Sequence, residues 1–258
     1  MPRNPYYLVG SSPWPVFTSV GGFCLAVGFV SWFHTRSLMV LLVGFMVMGL
    51  SLGQWWRDVM REGDLGYHSS YVMKGLTDGF IMFLISEVMF FFSLFWAFFH
   101  MSLAPDISIG CMWPPKGVET LDPFKVPLCG TTVLVGSGCS LMYAHAAVRA
   151  GQNKDAIYGT ALTIALGLFF TRLQAYEYYW ASFTIADSAY GSLFYIMTGF
   201  HGMHVMFGTG FLIVSLIRLF RRRFTPRNHY GFIVCSWYWH FVDVVWILLY
   251  FVVYIWGS

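Results

Sequence analysis

Seven stretches of this chain are each apolar for about 20 residues or more, the length that crosses the hydrocarbon core of a bilayer. They run over 14–33, 38–56, 73–103, 126–147, 156–176, 190–217 and 230–256. In lipid, every backbone N–H and C=O must find its partner inside the protein, so only helices and closed barrels span. Barrel strands are short and alternate in polarity, whereas these runs are long and continuously apolar. The expected fold is therefore all-α, a polytopic membrane protein with seven transmembrane helices. Composition agrees, with 57% hydrophobic and 10% charged residues, far from the soluble balance of about half apolar and a quarter charged. The third run is longer than a bilayer is thick and predicts a helix that tilts or projects.

The connections divide the runs unevenly. The polar stretch 57–72 contains Gly63 and Gly66, and it suggests an N-terminal two-helix unit (1–62), a connecting loop (63–72) and a five-helix bundle (73–258). Gly49 and Gly53 form a G-x-x-x-G on the second run, and Gly136, Gly138 and Ser140 thin the fourth. Small residues let helix backbones approach, so these are the expected packing faces, within the chain first and against another subunit as the alternative. There is no internal repeat of the kind many transporters show. With no Arg-rich transit segment or short cleavable signal core ahead of the first run, the chain is expected to be mature from its first residue.

Basic residues set the orientation. Eleven fall on one side: Arg3, Arg57, Arg61, Lys74, Arg149, Lys154, Arg218, Arg221, Arg222, Arg223 and Arg227. The other side has Arg36, Lys116 and Lys125, and Arg172 lies within the fifth run. The positive-inside rule places the N-terminus inside and the C-terminus outside, as an odd number of spans requires.

Five cysteines, Cys24, Cys111, Cys129, Cys139 and Cys235, are scattered singly without a C-x-x-C pair. That spacing argues against a zinc or iron–sulfur site. His201 and His204 stand at i and i+3, close enough to share a metal, but a pair of imidazoles is an incomplete set for zinc. Hydrogen-bonded packing is the simpler expectation for both. A bis-histidine haem would need matched ligands on facing helices, and the spacing of His100, His145 and His240 selects none.

Two acids sit deep in apolar runs, where an ionisable group needs a partner, a proton or a task. Glu87 has Phe83, Leu84, Phe90 and Phe91 as its helical neighbours, none of which offers a hydrogen bond. It reads either as an acid hydrogen-bonded across helices or as a proton-active group, protonated at neutral pH. Asp243 shares a helical face with Trp239, Trp246 and Tyr250, whose N–H and O–H groups are donors, and His240 lies nearby. This group (Asp243, His240, Trp239, Trp246) reads as a structural polar cluster. Arg172 is near enough to a helix end to snorkel, and its five-residue offset from Glu177 is awkward for pairing.

Long strings carry a resemblance over nearly the whole chain. They include Trp55-Trp56-Arg57-Asp58-Val59, Ser86-Glu87-Val88, Phe95-Trp96-Ala97-Phe98, Trp113-Pro114-Pro115, Phe183-Thr184-Ile185, Thr198-Gly199-Phe200-His201-Gly202-Met203-His204-Val205 and Trp237-Tyr238-Trp239-His240-Phe241-Val242-Asp243-Val244-Val245-Trp246. In these the chain resembles subunit III of mitochondrial-type haem–copper oxidases. It departs from the family pattern at Gly130, Ala146 and Arg172. The resemblance implies two helical units around a V-shaped cleft filled with phospholipid. It also implies a chain that lacks haem and copper of its own, beside partner subunits that carry haem a and copper. Subunit I would be the main contact, with subunit II and accessory subunits, and no nucleic acid. The implied roles are stabilising subunit I, supporting proton uptake and easing oxygen access while electrons pass from cytochrome c to oxygen.

Family positions near lipid phosphates fall on Arg61, Glu62 and His68 in one segment and on Arg218, Arg221 and Arg223 in another, with Trp55 and Trp56 at the interface. Guanidinium forks suit phosphate oxygens. The compact length and loops resemble organelle versions, which implies the mitochondrial inner membrane with the N-terminus on the matrix side and the C-terminus in the intermembrane space. Two rivals from other classes are an independent proton or ion transporter using Glu87, Asp243 and Arg172, and an autonomous haem enzyme. A transporter should show broken helices and paired repeats, which the sequence lacks.

Overall fold

The computed structural model describes Tyr7 and residues 10–258. Among these residues there is no strand. Seven helices are long and apolar enough to cross a membrane: α1 Trp14–Thr35, α2 Met39–Asp64, α3 Ser70–Leu103, α4 Val126–Arg149, α5 Asn153–Trp180, α6 Ser188–Phe220 and α7, which runs from Tyr230 to Trp256. Its last stretch, Tyr250–Trp256, is π-helical. The seven expected spans are therefore all present, with most ends extended by a turn or less. Arg3, part of the charge argument, lies outside the described residues.

The chain forms two compact units, Met1–Gly79 and Phe80–Ser258, with the division inside α3. In the first unit α1 packs along α2. Pro15 enters α1 in its first turn, where a missing N–H costs nothing. Arg36, at φ 60°, ends the helix and donates its N–H to Trp32 O. The close approach of the pair rests on Gly28 and Gly44. A Cβ at Gly28 would stand 2.5 Å from Leu41 Cα, and one at Gly44 2.8 Å from Leu25 N.

For packing within the chain this corrects part of the small-residue expectation. Gly49, Gly53 and Gly136 face open space, whereas Gly138 is closed off by Asp243 and Ser140 bonds Thr163 Oγ1 on α5 at 2.7 Å. A spacing of four identifies a stripe but not which of several stripes meets a neighbour.

In the second unit α4, α5, α6 and α7 pack in a closed ring, each against the next and α7 back against α4. Fully buried aromatics fill it: Trp239 and Trp246 from α7, Phe194 from α6, Phe170 from α5. Trp239 is held by its indole N–H, which donates to Ser137 Oγ of α4 at 2.9 Å, and its ring lies against Gly167 of α5 and Gly208 of α6. Trp246 donates to Thr131 Oγ1 at 3.0 Å. The second-unit part of α3 leans on this ring through Phe90 against Phe200 and Phe91 against Phe241.

Candidate functional site

Polar side chains inside an apolar bundle are costly unless paired, so their placement separates structural from chemical roles. A side-chain link from α3 to α6 is made by Glu87, whose Oε2 lies 2.8 Å from His204 Nε2. His204 Nδ1 meets Phe200 O at 2.7 Å. With Nδ1–H donated to that carbonyl, Nε2 is the lone-pair nitrogen, which accepts a hydrogen bond from the O–H of a neutral Glu87. If His204 is instead doubly protonated, it donates to the ionised carboxylate. Phe91 packs on the imidazole, and both side chains are largely but not wholly enclosed. One acid and one imidazole thus share a proton position in an aromatic setting. The hydrogen-bond partner that α3 itself lacks is supplied by a helix far away in sequence.

His201, one turn earlier on α6, points elsewhere. It is fully buried, its Nε2 faces Val242 O at 3.2 Å, and its ring packs on Trp246 and Phe170. The two histidines therefore do not converge on a common ligand. Among the described residues no cluster of three or more His, Cys, Asp and Glu side chains could hold a metal ion.

Asp243 is 8% exposed, but the aromatic donors expected on its own face do not reach it. Trp239 and Trp246 donate to hydroxyls of α4 instead, and Tyr250 OH to Pro123 O. An indole N–H has one bond to give, and α4 takes it. Asp243 is left with His240, whose Nδ1 is 3.5 Å from Oδ2, while Oδ1 is buried without a partner. The carboxyl lies against Gly138, where a Cβ would stand 2.6 Å from Oδ2.

A third buried acid was not singled out in the sequence. Glu177 of α5 is 4% exposed and accepts from Tyr254 OH at 2.5 Å. Tyr254 lies in the π-helical end of α7 on the stripe of Trp246 and Tyr250, and that four-residue recurrence was the available signal. Arg172 is exposed on α5 while Glu177 faces inward, so the two do not pair.

The expected lipid contacts fall into two places. In the first unit a cavity of about 230 Å³ is lined by Gly10, Ser11, Ser12, Trp14, Trp55, Asp58, Val59, Arg61, Glu62 and Leu65. Trp14 Nε1 donates to Asp58 Oδ2 at 2.7 Å, and Tyr7 OH donates to Glu62 Oε2 at 2.5 Å. Burial, reinforced by the Glu62 carboxylate, pushes the Tyr7 phenol up. His68 is half-buried with its ring edge-on to Tyr7, and burial holds it below the usual imidazole range despite Glu62. Trp55 lines the cavity and Trp56 is exposed outside it. In the second unit Arg218 is half-buried with its guanidinium 4.6 Å above Phe224, while Arg221 and Arg223 are exposed at the end of α6.

Gly130 also gains a physical reason. A Cβ there would stand 3.3 Å from Phe170 and 3.8 Å from Trp246, so the bare backbone makes room for these two rings.

Comparison with known proteins gives one answer. The family model described as cytochrome c oxidase subunit III matches residues 4–258. The chain is 50% identical to cytochrome c oxidase subunit 3 of Paracentrotus lividus, over 99% of this chain and 98% of the relative. It is 50% identical to the protein of that name from Lumbricus terrestris over the full length of both. The same protein of Danio rerio is 50% identical over 99% of this chain and 98% of the relative.

Proposed function

The chain belongs to the cytochrome c oxidase subunit III family, and from that premise we propose that it is a core subunit without a redox centre of its own, stabilising catalytic subunit I and supporting proton uptake. Membership makes it a multi-pass membrane subunit of a respiratory oxidase. In this reading haem a and copper belong to partner subunits, and electrons pass from cytochrome c to oxygen outside this chain. Oxygen access past bound phospholipid is part of the same proposal. So is the placement in the mitochondrial inner membrane with the N-terminus toward the matrix.

The observation that carries the proton role is the Glu87–His204 contact at 2.8 Å. Carboxyl and imidazole are both groups that can bind and release a proton. Placed together among phenyl rings, they form a unit that passes one proton between oxygen and nitrogen with little rearrangement. No comparable pair joins Asp243 to Arg172, so the transporter reading gains no support.

The lipid role is supported by the first-unit cavity. Arg61 offers a cation for phosphate beside Asp58 and Glu62, which suit the ammonium of a zwitterionic headgroup. Arg218, Arg221 and Arg223 provide basic anchors on the second unit, where each is worth about 1 kcal/mol toward anionic lipid.

The test is separation of the purified oxidase into its subunits. Haem and copper are expected to remain with the partners, and the depleted complex is expected to reduce oxygen while losing sustained proton uptake. Haem or copper travelling stoichiometrically with this chain would overturn the proposal.

A further inference from the structure

Asp243 has no structural task that the fold assigns to it. A structural carboxylate in a bundle is held by donors, but here the two indoles on its own face serve α4. Its Oδ1 has no partner, and its Oδ2 has one distant imidazole. The helix opposite makes room for the carboxyl by carrying Gly138 at the point of contact.

Polar positions on α7 recur toward one end of the helix. His229, Ser236, His240 and Asp243 fall within an arc of about 60° on the helical wheel. His229 stands at the N-cap of α7 and is half-buried, and its Nδ1 is taken by Thr225 O at 3.1 Å, leaving Nε2 for a further partner. His145 of α4 lies beside it at a ring separation of 5.7 Å, with Nε2 buried and unpartnered. His240 lies about 16 Å further along α7 from His229, within electrostatic range of His145. Its side chain is 37% exposed. The titratable and charged groups facing this seam are His229, His240 and Asp243 from α7 and its cap, and His145 and Arg149 from α4. Among the described residues α5 presents the hydroxyl of Thr163, bonded to Ser140, and His201 of α6 is turned to Val242 O.

We infer that Asp243 is a proton-exchanging carboxyl, connected along the α4–α7 seam through His240, His145 and His229 to the surface that carries the α4–α5 and α6–α7 connections. In each transfer an imidazole takes a proton on one nitrogen and gives one up from the other. At the inner end the carboxyl O–H breaks as the His240 Nδ1–H forms, and the reverse step reloads it. Water is required to carry the proton between His145 and His240, beside Ser236 on the same arc of α7. Nothing in this rests on the Glu87 pair, which lies on α3 and α6. Asp243 and Glu87 are separate proton sites with separate tests.

The experiment is time-resolved infrared spectroscopy of the intact complex after a pH jump, covering pH 4 to 10. Wild type is expected to show a carboxyl signal that Asp243→Asn removes. In His240→Gln and His145→Leu the same signal should follow the jump at least 10-fold more slowly. His145→Gln, closer in shape, repeats the reading if the leucine variant fails to assemble. The proposal is overturned if no carboxyl signal depends on Asp243 anywhere in the range. It is equally overturned if the signal keeps its wild-type rate in the histidine variants.

Discussion

Gly208 sets a sharp steric condition at the centre of the second unit's helix ring. Trp239 is wholly buried, and its indole is pinned by the bond to Ser137. A methyl group at Gly208 would stand 2.9 Å from Cε3 and 3.1 Å from Cζ3 of that ring, where carbon atoms prefer about 3.5–4.0 Å. The ring would have to retreat by about 0.5–1 Å. Its far side is closed by Gly167, where a Cβ would stand 2.7 Å from Cη2, so retreat meets α5. Overpacking of this kind costs about 1–3 kcal/mol. The better helix propensity of alanine returns up to about 1 kcal/mol. Gly208→Ala should therefore destabilise the chain by about 1–2 kcal/mol.

Gly202 and Gly210 on the same helix have open space around them. Alanine there should be neutral or slightly stabilising, which makes them internal controls. The assay is steric trapping of the doubly biotinylated full-length chain in bicelles. Combining Gly208→Ala with Trp239→Phe should cost less than the sum of the two by about 1 kcal/mol, because the smaller ring relieves the clash. Gly208→Ala indistinguishable from Gly210→Ala, or strict additivity with Trp239→Phe, would refute the clamp.

Three further outcomes follow from other contacts. Tyr254→Phe removes the donor to buried Glu177 and should cost about 1–3 kcal/mol, read as a lower thermal midpoint for release of this chain from the solubilised complex; an unchanged midpoint would show that the pair contributes nothing. His68 is held low by burial, so the folded first unit binds fewer protons there than the opened form. Its stability is therefore full above about pH 6.5 and falls as pH drops through that value. Hydrogen exchange of residues 62–68, corrected for its intrinsic pH dependence, should accelerate between pH 7.5 and 5 in wild type and stay flat in His68→Gln. Gly191→Ala would drive a methyl group onto Thr184 O and should loosen the 181–188 turn, seen as faster exchange there with α7 unaffected.

The spans were legible because lipid enforces a rule the sequence must display: long apolar runs punctuated by polar turns. Pro15 and Pro127 stand in the first turns of α1 and α4, where proline fits a helix. Partnerships across helices were not legible. A helical wheel shows what lies on one helix, and it credited Asp243 with indoles that α4 holds. It left Glu87 without the imidazole that α6 provides. His204 carried the signal, a histidine deep in an apolar run, but nothing in its own helix says which acid it meets. Gly49 and Gly53 mislead for a related reason: small residues permit a close approach without stating that one occurs.

Glu87 and His204 are the pair through which this subunit of a respiratory oxidase is proposed to handle protons. The most direct measurement is the rate of proton uptake during a single turnover of the intact complex carrying Glu87→Gln, which keeps the shape of the side chain and removes its proton. The account predicts slower uptake with haem spectra and electron entry unchanged, and the same defect in His204→Gln. Wild-type uptake rates in both variants would contradict it.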